Sequence, residues 1–325
     1  MDTTDVLVLG CGVSGLSTAI LLQRQGRRVT IWARDVPPHT TSNIAAAVWY
    51  PYRAFPVDRV LTWGAIAYRA FREFLDTPES GVIVASVLDL QPERPPKDPW
   101  WASSVDGFRR AHPEELPAGY GDGFVFDAPV IDTSIYLGYL RSQFEAAGGV
   151  VVENRTVHDL AEAFAVYNVV VNCTGLGARE LVHDAALKPS RGQVVRVRHN
   201  GFRRVMLDEG GPNQLAYIVP RINDIILGGT AIDGEESTAI DGAETPAILR
   251  RCTALAPEFA AMTPGDILEV KVGLRPVRPE VRLETETPAP GRWLISNYGH
   301  GGAGITLSWG CAAEVAERIE ALATS

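Results

Sequence analysis

Apolar residues come in two rhythms along the chain. Near the N-terminus the run at residues 5–9, DVLVL, has the continuity of a buried strand. A helical pattern, LSTAILLQRQ, follows and stops at Gly26, a residue suited to a helix C-cap. VTIWAR at 29–34 is the next strand, so the start of the chain predicts one β–α–β unit of roughly 30 residues. Residues 36–58 are rich in Pro, Thr and Ala and predict a loop with a short helical start. A helical period through Val60, Leu61, Ala65, Tyr68, Phe71 and Leu75 predicts a helix over 58–76. Strands and loops fill 82–131, a helix spans about 133–147, and apolar strands follow at 149–154 and 169–175. From 191–198 to 225–230 the pattern alternates, as in an antiparallel sheet with one wetter face. A helix is predicted over 245–260, strands over 269–284 and 292–299, and a closing helix over 304–323. The chain shows no internal repeat or low-complexity linker, so its domains are expected to interleave.

Composition narrows the function classes. A chain of 325 residues predicts about two domains, and 46% hydrophobic residues can fill a sizeable core. A formal net charge of −9 argues against a nucleic-acid binder, which needs a basic face, and mildly against a membrane-surface protein. No apolar run approaches the length of a transmembrane helix. The start MDTTDVLVLG lacks a basic segment and predicts no signal peptide, and ALATS is not a Ser-Lys-Leu address. Cys11, Cys173, Cys252 and Cys311 have no metal-site spacing; they read as reduced, partly buried thiols in a cytoplasmic protein, with no metal, and one disulfide among them is the alternative.

Three motifs carry chemistry. Gly10-x-Gly12-x-x-Gly15 lies between a strand and a helix, where glycines permit a tight turn, close approach of a pyrophosphate, and helix–strand packing. The same spacing also suits a strand–helix turn with no ligand. Arg34 and Asp35 end the next strand, where an acid meets a ribose and an arginine can suggest NADP. VNCTG at 171–175 resembles a second flavin contact of glutathione-reductase-like flavoproteins, or is a plain buried strand and turn. NYGHGGAGIT at 297–306 is a glycine-rich loop running into a helix whose dipole end can stabilise negative charge. His300 in that loop reads as structural rather than as a base. In GLRPVRP, Arg275 presents a planar fork suited to a carboxylate, while Arg278 points to the other face. A solvated strand face is the alternative for either arginine. Tyr217 in AYIVP can donate to the same carboxylate or be half-buried packing.

The stretches VLGCGVSGLSTA, TTSNIAAAVWYPY, VNCTG, RGQVV, YIVP, LGGT, GLRPVRPEVRLE and NYGHGGAGIT, in that order over nearly the whole chain, resemble the D-amino-acid oxidase family. The resemblance implies an α/β fold: an FAD-binding Rossmann-like doubly wound domain interleaved with a substrate domain built on a mostly antiparallel sheet. The expected boundaries are 1–47, 131–189 and 292–325 for the first and 48–130 and 190–291 for the second. Non-covalent FAD would touch Gly10, Gly12, Val13, Ser14, Gly15, Arg34, Asp35, Thr41, Ser42, Ala46, Ala47, Val48, Val157, Thr174, Gly175, Gly301, Gly302, Gly304, Ile305 and Thr306, with Thr306 near the ring's O2 side. Arg275 and Tyr217 would hold the substrate carboxylate and the Gly302 carbonyl the amino group. Tyr50 and Asn213 would line the substrate site, Asn213 standing where many animal members carry a second tyrosine. The implied reaction is oxidative deamination of neutral, apolar D-amino acids by hydride transfer from Cα to FAD N5. O2 is the acceptor, and the products are 2-oxo acid, ammonia and H2O2. A homodimer is a family-level expectation. Related D-aspartate oxidases add basic residues for a second carboxylate, and Arg53 and Arg221 lie near the relevant segments. Glycine or sarcosine oxidases, carrier-linked dehydrogenases and a non-catalytic FAD module share the flavin motifs and are the alternatives.

Overall fold

A computed structural model describes residues 5–211 and 215–324. Its elements run β1 (Asp5–Leu9), α1 (Val13–Arg24), β2 (Arg28–Trp32), α2 (Val57–Glu73), β3 (Val82–Gln91), β4 (Asp106–Arg110), β5 (Asp122–Ile131) and α3 (Thr133–Ala146). β6 (Val150–Val152), α4 (Leu160–Phe164), β7 (Val169–Asn172), α5 (Ala178–Leu181), β8 (Lys188–Arg198), β9 (Val205–Asp208) and β10 (Ala216–Pro220) follow. β11 (Asp224–Gly228), β12 (Ile232–Asp233), α6 (Glu244–Leu255), β13 (Ile267–Ala289), β14 (Arg292–His300) and α7 (Gly304–Thr324) complete the chain.

The described strands hydrogen-bond in the order β4-β5-β3-β9-β10-β11-β8-β13-β14-β7-β1-β2-β6, with β12 joined to β8. One end, β14-β7-β1-β2-β6, is parallel. The other end is antiparallel apart from the parallel pair β3–β9. β1 is apolar and buried from Val6 to Leu9 because both of its faces are covered. Val6 and Val8 pack with Leu16, Ala19 and Ile20 of α1, whereas Leu7 and Leu9 pack with Ala163 of α4 and Leu181 of α5. The antiparallel part buries Val195, Val197, Ile218, Ile225 and Leu227 under Ile248, Cys252 and Leu255 of α6.

β13 joins the two parts. It pairs with β8 over Ile267–Val277 and with β14 over Val277–Ala289, with a register shift between Val277 and Arg282. The long loop between β2 and α2 is not independent of the sheet. Val48 bridges Val130 of β5, the Ile131 N–H donates to the Ala47 carbonyl at 2.8 Å, and Trp49 Nε1 donates to Gly64 at 3.0 Å. Among the described residues no helix is long and apolar enough to cross a membrane.

Candidate active site

A cavity of about 660 Å³ opens along the C-terminal ends of the parallel strands and reaches across to β8, β10 and β13. Ends of parallel strands are where open α/β sheets place ligands. At one end lie the glycine turn after β1, Trp32, Arg34 and Asp35 after β2, and Val157 and Thr174. At the other end lie Arg275, Tyr217, Tyr50 and Gly302. Every cofactor or substrate residue expected from the sequence lines this cavity except two.

Gly15 is the first exception. A Cβ there would sit 2.0 Å from the Gly10 carbonyl oxygen, so Gly15 lets α1 close on the strand and offers no surface to a ligand. Asn213 is the second and lies outside the described residues; its neighbour Leu215 lines the cavity. Gly10 has a φ of +103° and its missing Cβ would lie 2.6 Å from the Cys173 carbonyl, so only glycine fits this turn. The N-terminus of α1 therefore opens on the cavity, with the Val13 N–H held by Ser42 Oγ at 3.1 Å.

The second helix N-terminus, that of α7, faces the same cavity through Gly304, Ile305 and Thr306. The Thr306 hydroxyl donates to the Tyr50 carbonyl at 2.9 Å and accepts from the Tyr50 N–H at 3.1 Å. The donor Thr306 can offer a ligand is thus its backbone N–H, and its side chain fastens the Tyr50 loop. His300 is buried and sits 3.1 Å from Asn297 Oδ1; burial drives its pKa down to about 4, which leaves the ring neutral near pH 7.

Arg275 is positioned by small neighbours. Its Nη1 donates to the Thr230 carbonyl at 3.0 Å. The guanidinium lies over Gly192 of the adjacent strand, where a Cβ would come within 2.3 Å of Nη1. Tyr217 is likewise folded over its cross-strand partner Gly228, whose Cβ would meet the ring at 2.0 Å. Burial raises the Tyr217 phenol while Arg275, which is hydrogen-bonded to it, opposes the rise. The phenol therefore stays protonated near neutral pH. Arg278 turns away and donates to Asp184 at 3.0 Å. Arg221 is buried, pairs with Asp224 at 2.7 Å and donates to Thr133 at 3.1 Å, so it is not a cavity residue.

Sequence reasoning missed Tyr52, Asp89 and Glu209. Tyr52 packs against Gly302, its ring 2.4 Å from where a Cβ would be, and its buried hydroxyl has no hydrogen-bond partner among the described residues. Glu209 lines the cavity, and buried Asp89 lies behind Tyr50. Only its place as the last residue of the stretch TTSNIAAAVWYPY could have flagged Tyr52; nothing in the local pattern marks the two acids.

The cavity fits FAD. Two helix N-termini and a glycine turn with no room for side chains face one elongated space, matching a pyrophosphate and an anionic ring edge. Arg155 lies over the Trp32 ring at 4.9 Å, forming a flat wall near the far end.

Comparison with known proteins agrees. A family model described as FAD dependent oxidoreductase matches residues 5–318. A D-amino-acid oxidase of Rubrobacter xylanophilus is 50% identical over 310 residues, covering 95% of this chain and 94% of that protein. A D-amino-acid oxidase of Dictyostelium discoideum is 42% identical over 321 residues, covering 97% and 91%. In three dimensions a glycine oxidase from Geobacillus kaustophilus superposes with a TM-score of 0.78 at 18% identity, covering 98% of this chain and 94% of that one. That last likeness is one of fold.

Proposed function

Because the chain belongs to the D-amino-acid oxidase family of FAD-dependent oxidoreductases, we propose that it oxidises D-amino acids to 2-oxo acids, ammonia and H2O2. The observation that carries this reading is the pairing of Arg275 and Tyr217 with the Gly302 loop across one cavity.

FAD, when bound, supplies the acceptor for the hydrogen and electron pair at Cα and passes the electrons to O2. The chain's own residues do the rest. Arg275 takes the α-carboxylate in a bidentate grip, because its fork geometry matches a carboxylate and its Nη1 is already fixed by Thr230. Tyr217, protonated near neutral pH, donates a further hydrogen bond to the same carboxylate. The Gly302 carbonyl accepts from the α-amino group. These fixed points would orient Cα–H toward the space that FAD would occupy, and so would select one enantiomer. Positioning of this kind can lower a barrier by roughly 7–11 kcal/mol. No general base is needed: His300 is neutral and buried, and its Nε2 is engaged with Asn297. Leu207, Leu215, Ala216 and Val219 give the cavity an apolar wall that favours neutral side chains. Arg221, engaged by Asp224, is not available for a second substrate carboxylate.

The glycine turn, Ser14, Ser42, Arg34, Asp35, Thr174 and the loop from Gly301 to Thr306 hold FAD in this reading. The proposed FAD-binding segments 1–47, 131–189 and 292–325 carry the parallel strands, and 48–130 and 190–291 nearly all of the antiparallel ones. Four buried, unbridged cysteines support a cytoplasmic setting.

The test is an anaerobic titration of the purified flavoprotein with D-alanine, D-methionine, D-aspartate and glycine and with the L forms. Loss of visible flavin absorbance with the neutral D forms is the expected result. Reduction by glycine alone would move the chain to glycine oxidation, and a flavin that no D-amino acid reduces would end the proposal.

A further inference from the structure

Arg275 and Tyr217 meet at an irregularity in the sheet. β11 runs antiparallel to β8 with Gly228 facing Val194, and β12 continues beside β8 with Ile232 facing Arg191. Four steps on one side therefore answer three on the other, and the stretch Gly229-Thr230-Ala231 holds one extra residue, a bulge. Bulges re-aim the groups around them, and this one turns two carbonyls to two arginines. The Gly229 carbonyl accepts from Arg251 Nη2 of α6 at 3.0 Å, and the Thr230 carbonyl accepts from Arg275 Nη1 at 3.0 Å. Tyr217 packs on the same stretch, its hydroxyl 2.7 Å from where a Cβ on Gly229 would be.

The Thr230 carbonyl is open to Arg275 because the Thr230 side chain stands in for a strand carbonyl. In an unbroken antiparallel ladder the Gln193 N–H would donate to the main chain of the facing strand. Here it donates to Thr230 Oγ1 at 2.8 Å, and Thr230 is buried. The hydroxyl closes the ladder, and the carbonyl of the same residue is left turned to the guanidinium. The segment that follows is fastened from the other face of β8. Gly192 and Val194 line the cavity, so Arg191 and Gln193 point away from it. Gln193 grips Asp241 twice: its Oε1 accepts the Asp241 N–H at 2.9 Å and its Nε2 donates to the Asp241 carbonyl at 2.9 Å. Arg191 donates to the Ser237 carbonyl through Nε at 3.0 Å and to the Ala239 carbonyl through Nη2 at 2.5 Å. Both side chains are buried, whereas residues 232–243 are exposed. A surface segment thus hangs on two buried side chains, and the bulge that seats Arg275 lies at its start.

Resting on the amino-acid-oxidase reading of this cavity and deepening it, we propose that Thr230 is the positioning residue of the carboxylate anchor. Its hydroxyl, bonded by the Gln193 N–H, fixes the bulge, and its carbonyl then sets where the Arg275 guanidinium lies. Thr230 is not among the residues that line the cavity, so it acts through Arg275 and not on the substrate. The Arg191 and Gln193 side chains pin the register behind it, which keeps the extra residue between Gly228 and Ile232. Gly229 completes the arrangement from the other side, since a side chain there would displace the Tyr217 hydroxyl.

The test reads carboxylate binding apart from turnover, in the holoenzyme. 4-Methylpentanoate has the carboxylate but no α-amino group to oxidise, so its binding is followed in the flavin spectrum, and KM is measured with D-methionine. Thr230→Val keeps the branched shape and removes the hydroxyl. It should weaken 4-methylpentanoate binding and raise KM by about tenfold, the scale of a lost hydrogen bond, with flavin loading unchanged. Thr230→Ser, which brings the hydroxyl back, should recover most of that affinity. In an Arg275→Lys background the same Thr230→Val change should cost little further, because the group it positions is gone. A residue that only supports the fold would show neither the recovery nor this loss of additivity. Native affinity in Thr230→Val, or the same tenfold penalty in both backgrounds, overturns the assignment, while reduction of the flavin by D-methionine keeps the oxidase reading intact. If Thr230→Val does not load with flavin, Thr230→Ala removes the same hydroxyl with less bulk and is judged by the same outcomes. A native flavin that neither D-methionine nor D-alanine reduces overturns the oxidase reading and this inference with it.

Discussion

At the scale of single residues, function depends on what is small beside what is large. Gly192 gives the Arg275 guanidinium the space it occupies, so Gly192→Ala should push the fork off its alignment without touching the FAD turn. A misplacement near 1 Å can cost about 10²-fold in rate. The expected outcome is a fall in kcat/KM for all D-amino acids with the flavin spectrum unchanged; full activity would show that Arg275 is not the carboxylate anchor. Arg275→Ala should raise KM sharply by the loss of a bidentate charged contact, again with flavin retained. Asp89 supplies a different kind of test. Its folded carboxyl is raised to about 8, so the unfolded chain gives up that proton at lower pH than the folded one does. Asp89 therefore withdraws stability as pH rises from the usual carboxylate range toward 8. Asp89→Asn keeps an acceptor for the Tyr50 hydroxyl and should melt higher than the native protein at about pH 8, the gap closing near about pH 4. An equal gap at both pH values would place Asp89 in a hydrated, unperturbed setting. Arg275 was legible in the sequence because prolines and glycines frame it. Glu209, Asp89 and Tyr52 were not, because each becomes a cavity residue only through a strand pairing or a loop packing that no local period encodes.

At the scale of elements, the sequence pattern was readable wherever one rhythm ran long enough. β1, α1 and β2 fall where the continuous apolar run, the helical pattern and the next strand place them. The predicted helix 58–76 ends instead as α2 at Glu73 with a short 3-10 turn, and that over 245–260 ends as α6 at Leu255, a 3-10 turn starting at Pro257. Proline and turn geometry trimmed both ends. The register by which β13 crosses from β8 to β14 was not legible, since alternation gives a face and not a partner. Two close contacts set how the helices sit. A Cβ on Gly310 of α7 would come within 2.2 Å of the Trp63 carbonyl of α2, so the two helices touch backbone to backbone. Gly310→Ala should overpack this contact and cost about 1–3 kcal/mol, read as a lower denaturant midpoint at unchanged slope. Gly15→Val should force α1 off β1 and the Gly10 turn, giving a protein purified without flavin. A yellow, fully loaded Gly15→Val protein would contradict the packing role.

At the scale of the whole molecule, the question is what holds the antiparallel part against the parallel one. β13 and β14 make the covalent and hydrogen-bonded seam, and a buried ionic group ties the other side. Arg221, at the end of β10, donates to Asp224 through Nε at 2.7 Å and Nη2 at 2.9 Å. Its Nη1 donates to Thr133 Oγ1 at 3.1 Å, at the start of α3, and Thr133 Oγ1 in turn donates to the Asn43 carbonyl at 3.1 Å. One arginine thus links the β10–β11 turn to α3 and to the loop that borders the FAD end of the cavity. Burial would raise the Asp224 carboxyl, but Arg221 and then Arg196 outweigh it and hold it below the ordinary carboxylate range. A depressed pKa contributes stability above the unfolded value and loses it as pH falls through the folded one, the reverse of Asp89. Arg221→Met keeps the bulk and removes the charge, leaving Asp224 with Arg196 alone. Breaking a buried pair in this way typically costs about 3–5 kcal/mol, and the surviving Arg196 places the expectation toward the lower figure. The difference from the native protein should be largest near neutral pH and shrink below about pH 4, where the orphaned carboxyl takes up a proton. Urea midpoints measured across that range give the answer directly. A penalty that stays constant with pH would mean that Arg221 acts through packing, and that the two parts of the sheet are held together by the strand seam alone.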